Sequence, residues 1–119
     1  MGFKIPVAEP EIGEEELKLV MEVIKSGWVS SKGKYIEEFE KDFSNYIGTR
    51  YGVAVSNGTA ALHLALVALG IGLGDEVLIP TLTFASVANA VIYSGAKPVF
   101  VDSHPDYWCI DSEDAERKV

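Results

Sequence analysis

The chain has 119 residues, enough for one domain or for a piece of a larger one. Ten Lys and Arg against eighteen Asp and Glu give a formal charge of −8, which excludes the basic face that nucleic acid requires, while 48% hydrophobic residues exclude a disordered tail. A single cysteine, Cys109, excludes a disulfide framework and a thiolate zinc cage. With no run near the ~20 apolar residues of a membrane span and no charged-then-apolar leader, the expectation is a cytoplasmic protein that meets neither membrane nor nucleic acid.

The first dozen residues, through Ile5-Pro6-Val7 and Pro10, predict an extended arm, because proline disfavours helix in the residue before it. Leu17, Val20, Met21 and Ile24 repeat at helical spacing and predict a helix over Glu14–Ser26, with three acids in its first turn and Gly27 as its stop. After a linker at 28–33, Ile36, Phe39, Phe43 and Tyr46/Ile47 predict a second helix over about Tyr35–Ile47, its aromatic face expected to be core. Val53–Val55 reads as a short buried strand. Ala60–Leu69 is apolar nearly all round, with His63 its only polar side chain, so it predicts a helix covered on most sides. Strand is expected again at Glu76–Ile79, helix from the Pro80–Thr83 lead-in to near Ser94-Gly95, and strand at Pro98–Val101. The order is helices, then strand-helix-strand-helix-strand, an α/β grammar. Two parts are expected: an arm and two helices over 1–50, and an incomplete α/β domain over 51–119. Asp111 followed by Glu113 and Asp114 starts one more helix, but only five residues follow Asp114, so the reading is of an interrupted chain.

Chemistry concentrates at Ser56-Asn57-Gly58-Thr59-Ala60. A strand handing over to a helix N-terminus leaves backbone N–H groups and a positive dipole end free to hold a phosphate. Gly58 would let the backbone approach an anion, and Thr59 adds a hydroxyl. The bland alternative is a capped helix start, and the pattern alone leaves both open. Phe84 sits just past the second expected strand, at the strand end where open α/β sheets bind ligands, and an aromatic there could stack on a flat cofactor. A core position in the following helix explains it equally.

Several motifs carry nothing. Gly70-Ile71-Gly72-Leu73-Gly74 follows a helix and places Asp75 where a dinucleotide fingerprint needs its third glycine, so it reads as a loop. Ser31-Lys32-Gly33-Lys34 lacks the companion motifs of the penicillin-binding enzymes. Asn57-Gly58-Thr59 is a sequon at a helix start expected to be buried. His63, His104 and Cys109 lack metal-ligand spacing, and no metal is expected.

Taken in series, Gly27-Trp28-Val29-Ser30-Ser31, Phe39-Glu40, Ser56–Leu66, Gly72–Val77, Pro80–Phe84 and Gly95–Asp102 resemble the DegT/DnrJ/EryC1/StrS family of pyridoxal-phosphate sugar aminotransferases over nearly the whole chain. The look is nearest to members that aminate a GDP-4-keto-6-deoxy sugar. The resemblance implies the N-terminal part of the large domain of a fold-type I aminotransferase, with Gly58, Thr59 and Ala60 in the phosphate cradle and Phe84 stacked on the ring of pyridoxal 5'-phosphate. It further implies transfer of an amino group from glutamate to a keto group of a nucleotide-linked deoxy sugar, in polysaccharide or O-antigen precursor synthesis, by a homodimer. The family's cofactor-bonding lysine and its pyridine-nitrogen aspartate lie beyond the matching region. None of the eight lysines here has the matching context, and Lys97 falls in a loop at the far end of the strands from Phe84. No catalytic residue is therefore expected in this chain, which would be inactive alone. The alternative is a non-catalytic α/β module that binds a phosphate compound or a partner chain through Gly58-Thr59.

Overall fold

A computed structural model describes Ile5 and residues 8–119, so much of the expected arm lies outside the described residues. The chain divides into two compact units, one ending at Gly52 and the other beginning at Val53.

The first unit is two amphipathic helices, α1 (Glu14–Ser26) and α2 (Lys34–Ile47). α1 starts at Gly13, whose N–H donates to Glu16 Oε2 at 2.7 Å, a bond that holds the Glu16 carboxyl below its ordinary range. Both helices stop at a glycine in the left-handed region, Gly27 (φ 71°) and Gly48 (φ 79°), where a side chain would be strained. The Tyr35 hydroxyl donates to Glu22 Oε2 at 2.6 Å and ties the two helices. Between them the Trp28 indole N–H donates to the Lys32 carbonyl, and its ring lies against Gly33. Burial is almost absent: α1 has no buried residue and α2 only Ser44. Phe39 and Phe43 stack at 5.6 Å yet stay exposed, as does Tyr46, which corrects the expectation that they are core. The helical period identified the apolar face correctly, but among the described residues of this unit it stays largely exposed.

The second unit holds α3 (Gly58–Ala68), β1 (Glu76–Pro80), α4 (Ala85–Tyr93), β2 (Lys97–Val101) and the short α5 (Ser112–Arg117). β1 and β2 pair in parallel, Glu76 opposite Lys97 through Pro80 opposite Val101, with α4 as the crossover. Ile79, Val91 and Ala96 form the core, packed by Leu66, Val77 and Val87 among others. Gly70 (φ 76°) and Gly74 (φ 96°) turn α3 into β1, so the glycine run is the loop its sequence predicts.

Three expectations change here. Residues 53–55 form no strand, and Val53 is 71% exposed, because the sheet of the described residues is β1 and β2 alone. A strand exists only against a neighbour that completes its ladder. α3 has no buried residue; it packs on α4, with the His63 ring edge-on to Tyr93 at 6.1 Å, and exposes Leu62, Leu64 and Val67. Lys97 opens β2 instead of lying in a loop, and its ammonium meets Glu76 Oε1 at 2.6 Å.

Candidate functional site

The turn into α3 is built by Asn57, an extended residue (φ −169°) whose Oδ1 accepts the Ala60 N–H at 2.9 Å, while its carbonyl accepts the Ala61 N–H at 3.1 Å. Asn57 thus satisfies one of the orphan donors of a helix start. Gly58 and Thr59 occupy the first two helical positions, whose N–H groups have no acceptor within the helix. A Cβ on Gly58 would meet nothing within 4 Å, and its φ lies outside the left-handed range. Neither packing nor backbone conformation in this chain therefore asks for glycine at 58. Close approach of something outside the chain would. Ala60 differs from its two neighbours, because its amide is engaged by the Asn57 cap and an anion would have to displace that bond to use it.

Phe84 stands four residues beyond the end of β1, as the extended residue (φ −65°, ψ 140°) that precedes α4. Its carbonyl accepts the Val87 N–H at 3.0 Å, which starts the helix, and the residue is 83% exposed. Phe84 is therefore no core residue of α4 in this chain. An exposed ring at the carboxyl end of a parallel strand is placed to stack on a ligand, and the helix start fixes its backbone.

The carboxyl end of β2 is fastened by Asp114, one of the acids in the first turn of α5. Asp114 is buried in α5, and its Oδ2 accepts the Asp102 N–H at 2.8 Å and lies 2.8 Å from Lys118 Nζ. Its Oδ1 faces Arg117 at 3.3 Å. The Lys118 ammonium, then the Asp102 amide, holds the Asp114 carboxyl down at about 2. Asp114 four residues before Lys118 was the available signal, but it could not reveal the Asp102 amide twelve residues away. Asp111, by contrast, caps α5 as its position predicts, accepting the Glu113 N–H at 2.9 Å.

Three more residues are accounted for by partners within the unit. The His104 ring stacks on Tyr107 at 3.9 Å, and its Nδ1 accepts the Asp106 N–H at 3.2 Å. Of the lysines in this unit, Lys97 is paired with Glu76, and Lys118 is held by Asp114 and the Phe100 carbonyl. The second unit thus offers amide and hydroxyl donors at the start of α3 and an exposed aromatic residue just before α4. That set can bind and orient an anionic, flat ligand.

Residues 10–119 match the DegT/DnrJ/EryC1/StrS aminotransferase family. Among curated proteins the chain is 49% identical over 115 residues to GDP-perosamine synthase of Escherichia coli O157:H7, covering 97% of this chain and 32% of that protein. It is 47% identical to the spore coat polysaccharide biosynthesis protein SpsC of Bacillus subtilis, covering 97% and 29%. Among solved structures it resembles an aminotransferase from Psychrobacter cryohalolentis, with TM-score 0.85 at 34% identity, over 94% of this chain and 29% of the other. It also resembles NtdA of Bacillus subtilis with bound cofactor PMP, with TM-score 0.79 at 41% identity, over 87% and 23%. The chain spans about a third of the length of the curated relatives it matches. Its helices and small parallel sheet are part of the fold of pyridoxal-phosphate-dependent aminotransferases.

Proposed function

This chain belongs to the DegT/DnrJ/EryC1/StrS aminotransferase family, and from that premise we propose that it is the part of a sugar-nucleotide aminotransferase that grips the cofactor, pyridoxal 5'-phosphate. The observation that carries the reading is Gly58, a glycine with open space around it at the start of a helix whose first amides lack acceptors. The Gly58 and Thr59 N–H groups would bind the phosphate, with the Thr59 hydroxyl as a further donor. Ala60 completes the turn with a side chain too small to crowd it, its amide shared with the Asn57 cap. The exposed Phe84 ring would lie on the pyridine face and set its tilt. When bound, the cofactor supplies an electron sink and a carrier for the amino group.

The reaction proposed for the whole enzyme is transfer of an amino group from glutamate to a keto group of a nucleotide-linked deoxy sugar. The relatives named GDP-perosamine synthase favour a GDP-linked substrate. A homodimer working in the cytoplasm, in polysaccharide precursor synthesis, belongs to the same proposal. Residues 51–119 would serve as the cofactor-binding portion. This chain's own residues bind and orient, and the two lysines of its second unit are paired, Lys97 with Glu76 and Lys118 with Asp114.

The test is a chimera of residues 1–119 joined to the remaining two thirds of the Escherichia coli relative. Titration with pyridoxal phosphate should give one tight site and aminotransfer to the GDP-keto sugar. A folded chimera that binds no cofactor overturns the proposal.

A further inference from the structure

An asparagine side chain is most open to attack by the next backbone nitrogen when glycine follows, because no Cβ obstructs the ring that forms, and Asn57-Gly58 is such a pair. The turn into α3 gathers the other requirements of that attack around it. The Gly58 N–H has no acceptor within the helix and lies at the positive end of its dipole, which favours the anion left when the amide loses its proton. Asn57 Oδ1 accepts the Ala60 N–H at 2.9 Å, so a donor is already aimed at the oxygen on which charge develops as its carbon is attacked. Asn57 Nδ2, the nitrogen that would leave, lies 3.2 Å from Ser56 Oγ, whose hydroxyl can hand it a proton once it becomes an amine. Nothing stands within 4 Å of a methyl group built on Gly58, and Ser56, Asn57 and Gly58 are all exposed, so water reaches the ring once it closes. The other two asparagines differ in kind. Asn45 and Asn89 lie within α2 and α4 and precede Tyr46 and Ala90, whose amides belong to the ladders of those helices.

We propose that Asn57 is a self-modification site, converted to aspartate or isoaspartate through attack by the Gly58 nitrogen, and that a phosphate seated on the same Gly58 N–H prevents it. The Gly58 amide gives its proton to solvent base and its nitrogen bonds to Asn57 Cγ. The Cγ–Nδ2 bond then breaks, ammonia leaves, and a five-membered imide remains. Water opens the imide at either carbonyl, giving aspartate if the new bond breaks and isoaspartate if the original peptide bond does. The barrier left by the structure is conformational: Asn57 is extended (φ −169°, ψ 170°), so its Cγ must swing over the Gly58 nitrogen by a turn about its Cα–C bond. That motion belongs to a helix end, where local opening costs least. A phosphate accepting the Gly58 N–H pins this turn, and its charge disfavours loss of the amide proton. Aspartate caps a helix as well as asparagine does, so the fold survives, but it sets a carboxylate beside the anion cradle. A loaded site thus keeps its asparagine, and an unloaded one loses the ability to load. The shielding rests on the aminotransferase reading; the conversion does not.

The experiment incubates the 119-residue chain at mildly alkaline pH and follows its three asparagines by peptide mapping, with aspartate and isoaspartate resolved. Asn57 should convert about tenfold or more faster than Asn45 and Asn89, and Gly58→Ala should slow it by about the same factor. The same mapping is then made on the chimera with the rest of the Escherichia coli relative, once a titration with pyridoxal phosphate has been done. Saturating pyridoxal phosphate should slow conversion of Asn57 about tenfold or more, since it binds only the closed turn. Conversion of Asn57 no faster than that of Asn45 and Asn89 in the unsubstituted chain overturns the modification site, as does an unaltered rate in Gly58→Ala. A chimera that binds pyridoxal phosphate yet converts equally fast loaded and unloaded overturns the shielding. A chimera that binds none overturns the aminotransferase reading and the shielding with it, while the chain alone still decides the conversion.

Discussion

The two units of this chain use the same device, apolar residues at the period of their secondary structure, and reach different ends. In the second unit that pattern closes into a core at Ile79, Val91 and Ala96, because a strand-helix-strand crossover folds a helix back onto its own sheet. In the first, α1 and α2 display well-formed apolar faces with only Ser44 buried in the two helices, since two helices joined by a short linker have no third element among the described residues to cover them. Periodicity announces which face wants burial. It carries no information on whether the covering atoms belong to the same stretch of chain.

The largest expected effect sharpens this contrast. Ile79→Ala should cost about 2–5 kcal/mol, the range for emptying a buried aliphatic site. Tyr46→Ala, on the uncovered face of α2, should change stability by less than about 0.5 kcal/mol. Each unit contains one tryptophan, Trp28 and Trp108, so their emission in denaturant titrations of single-tryptophan variants follows the units separately. Ile79→Ala should move the Trp108 transition and leave that of Trp28 in place. Equal shifts of both would break the comparison and make the chain one cooperative body.

A second contrast is chemical: the candidate site lies wholly in the unit that has the core. In the chimera with the rest of the Escherichia coli relative, Thr59→Ala should weaken pyridoxal phosphate binding by about 1–3 kcal/mol, the scale for a hydrogen bond to a charged group. Phe84→Ala should cost about 1 kcal/mol through lost stacking. Unchanged affinity in both variants would remove these residues from the site. For the 119-residue chain alone, borohydride reduction after incubation with pyridoxal phosphate should spread label over several lysines. Stoichiometric label on one lysine, lost in Thr59→Ala, would show a working site without the rest of the fold.

Acid separates the units as well. Asp114 is held at about 2 in the folded chain, below the ordinary carboxylate value of roughly 3.9. A group with a depressed folded value stabilises the fold above its unfolded value, and that contribution disappears as pH falls through the folded one. The Trp108 transition should therefore weaken between about pH 4 and pH 2, and Asp114→Asn should flatten that slope. A slope unaltered by the substitution would assign the acid sensitivity to other carboxylates.

How much of this was legible in the sequence follows from where each signal is stored. Helix ends were local and plain: Gly27, Gly48 and Asp111 sit at the caps their chemistry predicts. The two strands and the helix between them also followed from short apolar runs and punctuation, and the structure adds that they pair in parallel. Val53–Val55 failed as a strand because pairing is a property of two segments, and the sheet of the described residues consists of β1 and β2. The Asp114 clamp escaped for a related reason: the partner that distinguishes it is a backbone amide at 102, and backbone amides leave no mark in a sequence. For the candidate site, the sequence shows the residue types and the helix start, and leaves open which amides are engaged within the chain. The family resemblance puts Gly58, Thr59 and Ala60 alike in a cradle, and the structure divides them, with the Ala60 amide engaged by the cap.

The smallest expected effect on stability is the most searching test of that division. At Gly58 a methyl group would meet nothing within 4 Å, and the backbone is not in the left-handed region, so the fold has no objection to alanine. Helix propensity even favours it, by no more than about 1 kcal/mol. A structural glycine would behave otherwise: at Gly52 an added Cβ would stand 2.7 Å from the Glu40 carbonyl, and Gly52→Ala should destabilise by about 1–3 kcal/mol. If Gly58 is there for a phosphate, Gly58→Ala should leave the unfolding midpoint unchanged or slightly raised while cofactor affinity in the chimera falls about tenfold or more, roughly 1.4 kcal/mol. Thermal unfolding of the chain and cofactor titration of the chimera, done on the same substitution, read the two quantities independently. Loss of stability with unaltered affinity would make Gly58 part of an ordinary helix cap and return the phosphate site to the open question the sequence posed.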